Sequence, residues 1–270
     1  MSVEFAEIAW AGRPVRIEYR RIGADLPERA ERPLLIFLHE GLGSVSMWRD
    51  FPERLCARLN LRGLVFSRPG YGRSTPKHPD ERWLPDFMHR QAREVLPAFF
   101  AAIGLSSPSA PYWILGHSDG GSIALLHAAA FPEQVAGLIV AAPHLFVEDL
   151  SIASIEDARV AYETTDLRDK LGRHHADPDS AFRGWNDIWL DPAFRAWNIE
   201  AEVAQIRCPI LAVQGVDDQY GTMAQIERIA ALRPGPTELL QLQQCGHSPH
   251  RDQPEALIGA TGEFMHRHGA

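Results

Sequence analysis

Ser118 stands in Gly116-His117-Ser118-Asp119-Gly120, and this is the stretch whose residue types and spacing can do chemistry. The residues before it, Tyr112-Trp113-Ile114-Leu115, are apolar enough for a buried strand. Those after it, 122–130, read as a helix. A serine at so tight a strand-to-helix turn is held in a strained backbone. Glycines two before and two after leave space where side chains would collide. The strain aims the hydroxyl out of the sheet. The helix N-terminus beneath it supplies free N–H groups and the positive end of its dipole. A buried serine in a phosphate-binding glycine turn is the bland alternative, and the strand-before, helix-after context argues against it.

A serine hydroxyl is a poor nucleophile until a base takes its proton, and the base needs a carboxylate to orient it. Two downstream segments supply such groups, in the order nucleophile, acid, base. Ile210-Leu211-Ala212-Val213-Gln214 runs into Gly215-Val216-Asp217-Asp218, and Leu239-Leu240-Gln241-Leu242 runs into Gln243-Gln244-Cys245-Gly246-His247. Strand ends on one edge of a parallel sheet converge in space. Asp217 and Asp218 are both candidates for the acid at this point, and an aspartate in a loop also stabilises turns.

The elements that must position these groups follow from the hydrophobic pattern. Segments 3–10 and 14–22 read as two strands of a hairpin across Ala11-Gly12-Arg13. The continuous apolar run at 34–38 reads as a strand buried on both faces of a parallel sheet, 63–66 as a shorter one, and 112–115, 135–141, 210–214 and 238–242 as further strands. Helices are predicted over 87–103, with Gly104 past the end, over 222–232 and over 254–267. Alternating strands and helices imply a mostly parallel, eight-stranded α/β sheet with helices on both faces. Residues 144–206 break the alternation. They contain no buried strand run, carry Trp185, Trp189 and Trp197, and read as a helical cap inserted into a core of 1–143 and 207–270. An insertion after a strand's carboxyl end overlies the site edge of such a sheet. The tryptophans therefore either line an apolar pocket over Ser118 or simply pack the cap onto the body.

Together, His39-Glu40-Gly41-Leu42-Gly43, Arg68-Pro69-Gly70-Tyr71-Gly72-Arg73-Ser74, the elbow, Gly215-x-x-Asp218 and Gly246-His247 resemble the α/β-hydrolase superfamily over nearly the whole chain outside the cap. The resemblance implies Ser118 as nucleophile, Asp218 as acid and His247 as base, with no cofactor and no metal. The superfamily's glycine-to-acid spacing favours Asp218 over Asp217. It also implies an oxyanion hole made by the N–H groups of Asp119 and of the residue after the usual His-Gly pair, here Gly41. Glu40 departs from that pattern. It reads first as a surface residue the loop tolerates, and otherwise as a group reaching in to tune His247. Asp119 suits a helix N-terminus by its charge alone. His117 is expected to pack under the elbow, and His250 to be structural. Glu40, Leu42, Trp48, His144, Trp185 and Trp189 complete the candidate substrate-binding set.

The resemblance implies a serine hydrolase acting on a small to medium carboxylic ester or lactone. Carbon–carbon bond hydrolysis of a ring-cleavage dienol acid is a second possibility. A ligand receptor on a hydrolase scaffold is a third, of a different class. Haloalkane and epoxide hydrolysis would need a carboxylate where Ser118 stands.

Composition narrows the partners. The chain has 270 residues, 45% hydrophobic and 23% charged, with a net charge of −8 and no long Lys/Arg run, so neither nucleic acid nor a membrane surface is expected. No stretch nears the roughly 18 apolar residues of a membrane helix. The N-terminus lacks the pattern of a signal peptide. Cys56, Cys208 and Cys245 are an odd, scattered set, read as reduced thiols of a cytoplasmic protein. A small-molecule substrate and a monomer or homodimer are expected. His174-His175 reads as a solvated pair in a polar loop rather than a metal site.

Overall fold

In the computed structural model, which describes residues 3–23, 32–105, 111–233 and 235–269, the apolar runs pair into one eight-stranded sheet. Its strands are β1 (Glu4–Trp10), β2 (Arg13–Ile22), β3 (Leu34–Leu38), β4 (Arg62–Phe66), β5 (Tyr112–His117), β6 (Val135–Ala141), β7 (Ile210–Gly215) and β8 (Thr237–Leu242). The spatial order is β1-β2-β4-β3-β5-β6-β7-β8. β1 and β2 form the hairpin, β2 joins β4 antiparallel, and every pairing from β4 to β8 is parallel.

The helices are α1 (Phe51–Leu59), α2 (Phe87–Arg90), α3 (Leu96–Ala102), α4 (Asp119–Ala130), α5 (Asp149–Thr164), α6 (Leu167–Gly172), α7 (Pro178–Trp189), α8 (Glu200–Val203), α9 (Ala224–Leu232), α10 (Pro249–Asp252) and α11 (Pro254–Arg267). Between β6 and β7 the chain runs through α5 to α8 with no strand of the sheet, as the sequence pattern predicts.

The continuous apolar strands are explained by two-sided burial. Ile36, Leu38, Ile114, Leu138, Val140, Ile210 and Ala212 belong to one core cluster. Their alternate neighbours Leu35, Phe37, Trp113, Leu115, Ile139, Leu211 and Val213 belong to the other. Successive strand side chains point to opposite faces, so both must be apolar when both faces are covered.

Two features depart from the sequence reading. The single helix predicted over 87–103 is interrupted by a π turn, Gln91–Val95, just before Pro97 at the start of α3. Proline lacks an N–H and clashes with the preceding turn, and a wider turn relieves both problems. Helix α1 was not predicted, although Pro52 in its first turn and the left-handed cap at Asn60 are ordinary start and stop signals.

Several buried histidines give the fold an acid limit. Burial pulls His127 and His175 down to about 4 and His144 down to about 3. Their stabilising contribution is complete above the ordinary histidine range and drains away as pH falls toward those values, because the unfolded chain takes up the protons first. Asp119 has the opposite sign: burial raises it to about 6, so it costs stability as pH rises through that value. Three histidines outweigh one aspartate. The thermal midpoint is therefore expected to fall steeply between pH 6.5 and pH 4. His127→Gln should flatten that slope, and an unchanged slope would contradict this account.

Candidate active site

The three residues singled out for chemistry follow the carboxyl ends of β5, β7 and β8. Ser118 has φ 53° and ψ −121°, a conformation rare for any residue with a side chain. It sits between β5 and α4, and it is 7% exposed. The elbow leaves no space for neighbouring side chains. A Cβ on Gly116 would lie 2.3 Å from the Gly120 carbonyl oxygen, and one on Gly120 would lie 2.1 Å from that of Leu38. The N–H groups of Gly121 and Ser122 donate to the Ser118 carbonyl, which closes the first turn of α4.

His247 Nδ1 lies 2.9 Å from both carboxylate oxygens of Asp218. Three further donors converge on that carboxylate: Gln214 Nε2 at 2.6 Å, Tyr220 N–H at 2.8 Å and Gly221 N–H at 3.3 Å. Burial would raise the Asp218 carboxyl, but His247 and the Tyr220 N–H outweigh it and hold the group below its usual range. Asp217 is exposed to solvent. The role of Gln214 was not read from the sequence, although a glutamine closing a buried apolar strand was the available signal. Ser118 Oγ makes no hydrogen bond among the described residues.

Around this centre the candidates separate. Gly41 lies against α7, and a Cβ there would be 2.2 Å from Trp185 Cδ1. Trp185 thus covers the loop that carries the expected oxyanion donor. Trp189 is buried; its Nε1–H donates to Asp119 Oδ1 at 3.1 Å, and its ring meets His144 edge-on at 4.9 Å. It fastens the end of α7 to the elbow. His144 is buried with Nδ1 unpaired, and its ring centroid is 6.0 Å from that of His247. Leu42 is half-buried, and its carbonyl accepts from His175 Nε2.

Four expectations are corrected. Glu40 is not a surface residue: its side chain is 17% exposed and turned toward His117. Trp48 packs with Phe37, Phe51 and His250 in the cluster on one face of the sheet and is 2% exposed, so it is core rather than pocket wall. His175 is not solvated: Gly72 N–H donates to its Nδ1, while its partner His174 reaches Ser46 Oγ. Asp119 does more than cap a helix. It is fully buried, with Arg68 Nη2 3.8 Å from Oδ2, and burial lifts its carboxyl to about 6 against the lowering effect of Arg68 and Trp189. Arg68 itself is buried, stacks over Tyr71 and donates to the Glu40 carbonyl. Cys245 is buried and its thiol is pushed up to about 11, which leaves it a small hydrophobe beside the site.

Among the described residues no group of His, Cys, Asp and Glu is arranged to hold a metal ion. A cleft of about 480 Å³ lined by Lys77, Arg82, Trp83, Arg183 and Asp191 includes none of the three central residues.

Comparison with known proteins agrees with this fold. Residues 35–260 match the alpha/beta hydrolase family. The chain is 29% identical to a pimeloyl-[acyl-carrier protein] methyl ester esterase of Xylella fastidiosa, covering 86% of this chain and 95% of that one. It is 32% identical to human monoglyceride lipase over only 40% of this chain and 34% of that one, so the chain spans about a third of that relative. Among solved structures it resembles an esterase of Thermogutta terrifontis over 100% of both chains, with a TM-score of 0.74 at 16% identity. It also resembles a meta-cleavage product hydrolase of Pseudomonas fluorescens over 97% of both, with a TM-score of 0.73 at 17% identity.

Proposed function

This chain belongs to the alpha/beta hydrolase family, and on that premise we propose that it is a serine hydrolase cleaving a small to medium carboxylic ester or lactone. The observation that carries the reading is the pairing of His247 Nδ1 with Asp218 on the sheet edge where Ser118 occupies its strained turn. The pairing keeps the His247 proton on Nδ1 and leaves Nε2 free to accept one.

Ser118 Oγ attacks the carbonyl carbon as His247 takes its proton. The N–H groups of Gly41 and Asp119 receive the charge developing on the carbonyl oxygen. His247 then protonates the leaving alcohol, and the carbonyl re-forms as an acyl-enzyme. Water, deprotonated by His247, releases the acid and restores the serine. Asp218 orients the imidazole and stabilises its charged form without itself taking the proton. Trp185 and His144 supply walls to the substrate space, and residues 144–206 act as its cap. The esterase and lipase names of the relatives support an ester substrate.

The same fold in a meta-cleavage product hydrolase supports a second reading, carbon–carbon bond hydrolysis of a dienol acid. The compartment proposed is the cytoplasm. Cys208 and Cys245 are free thiols, which suits a reducing environment. No helix of the described residues is long and apolar enough to cross a membrane.

A panel of p-nitrophenyl esters of rising chain length, with lactones and a coloured dienol acid beside them, tests the assignment. Ester or lactone turnover, with covalent labelling of Ser118 by a fluorophosphonate, is the expected result. Bleaching of the dienol with esters untouched would favour the second reading. Labelling at no site, with no turnover, would leave the chain as a ligand-binding member of the family.

A further inference from the structure

Glu40, half-buried, and His117, fully buried, are a titratable pair that the mechanism above leaves unused. Glu40 follows β3, and His117 ends β5 directly before the nucleophile. Glu40 Oε2 lies 3.5 Å from His117 Nδ1. On the other side of the ring, His117 Nε2–H donates to the backbone carbonyl of His247 at 2.6 Å. His117 Nε2 is thus hydrogen-bonded, while Nδ1, without a hydrogen-bond partner among the described residues, faces the Glu40 carboxylate. His39 next door is the contrast: Nδ1–H donates to the Glu40 carbonyl at 2.7 Å, and Nε2 accepts from Arg68 N–H at 3.0 Å. One donor and one acceptor suit a neutral imidazole. At His117 only a ring with a proton on each nitrogen satisfies both neighbours, and that ring is also a counter-charge for Glu40.

No other buried cation among the described residues is placed to do this. Burial holds His39 and His250 well below the usual histidine range, so both are neutral. His250 packs on His117 with ring centroids 4.9 Å apart. Arg68 reaches the Glu40 backbone and Asp119 instead. At the rim, Arg251 Nη2 stands 3.9 Å from Glu40 Oε1. His247 is the remaining close ring, 5.1 Å away, while Asp119 and His144 act on His117 only through space. Burial alone would push the Glu40 carboxyl up. His117 overrides this and holds it well below the usual range. The loop makes room for the inward carboxylate: a Cβ on Gly43 would lie 2.4 Å from Glu40 Oε2.

We propose that Glu40 and His117 form an ion pair that positions His247, gripping that residue by its own carbonyl while Asp218 grips its ring. The inference rests on the reading of His247 as the base. Both members are positioning residues, because neither reaches the reacting atoms. Two grips leave the imidazole little freedom to swing, and a displacement of about an ångström is costly to proton transfer. A glutamate thus occupies the usual glycine position of the loop for a mechanical reason.

The experiment is steady-state ester hydrolysis by Glu40→Gln, His117→Phe and the double variant, with each kcat divided by the serines titrated with a fluorophosphonate. Titration counts folded sites, so a simple loss of fold does not register. Glu40→Gln is expected to lower kcat per site roughly tenfold with KM within about twofold. His117→Phe should lower it at least as much. The double variant should be no worse than His117→Phe alone, because the carboxylate acts only through the ring. Unchanged kcat per site in Glu40→Gln, or additive losses in the double variant, would overturn the proposal. If Glu40→Gln yields no titratable sites, His117→Gln carries the test. Its amide can still donate to the His247 carbonyl but cannot neutralise Glu40, and wild-type kcat per site would again overturn the ion pair. A wild-type protein that neither labels nor turns over esters would instead refute the hydrolase reading itself.

Discussion

Ser118→Ala is expected to lower kcat/KM for the best ester by at least about 10⁴-fold, with denaturant stability changed by no more than about 1 kcal/mol. The expected loss is large because the proposed mechanism makes this hydroxyl the attacking group. The fold should survive because Ser118 Oγ makes no hydrogen bond among the described residues and alanine keeps the Cβ. The backbone at φ 53° is then no more and no less strained than before. Kinetics on the ester panel, with unfolding curves for both proteins, give the comparison. A variant that still turned over esters at a tenth of the wild-type rate would remove Ser118 from the mechanism.

Asp218→Asn should cost about 10³–10⁴-fold in kcat with KM little changed. The reason lies in what surrounds the carboxylate. Four donors converge on it, namely His247 Nδ1, Gln214 Nε2 and the N–H groups of Tyr220 and Gly221. An asparagine offers one acceptor oxygen and an amide that donates. The backbone N–H groups of Tyr220 and Gly221 cannot turn away, so they claim the oxygen. The amide then faces Gln214 and His247. It favours the tautomer in which His247 accepts at Nδ1 and carries its proton on Nε2, where it cannot take one from Ser118. Asp217→Asn is the control. That side chain is exposed, and its kcat should stay near wild type. If the two variants exchanged phenotypes, Asp217 would be the orienting acid.

Core strands were the most legible part of this chain. Leu34–Leu38 and Val135–Ala141 run in the structure as their apolar patterns predict, and so does the closing helix Pro254–Arg267. A segment buried on both faces must be apolar at every position, and that requirement is written residue by residue. The elbow was legible for a similar reason. A turn that brings Gly116 and Gly120 against backbone carbonyls admits no side chain, so the constraint appears as residue identity.

The misses share a physical cause. Glu40, Trp48, His175 and Asp119 lie in or beside loops or helix ends, where a side chain's direction is set by what packs against it from distant parts of the chain. Glu40 turns inward because His117 and Gly43 receive it. Asp119 is buried because Arg68 and Trp189 meet it. The charged and hydrogen-bonding partners, His117 for Glu40 and Arg68 and Trp189 for Asp119, all lie far along the chain.

By itself, then, the amino-acid order determined the sheet, the helical stretch between β6 and β7 and the glycine-flanked serine, because burial and close backbone contact act locally on residue type. Only the tertiary structure decided which polar groups point inward and which partners neutralise them, because a buried charge is tolerated only where remote side chains supply its counter-charge and hydrogen bonds.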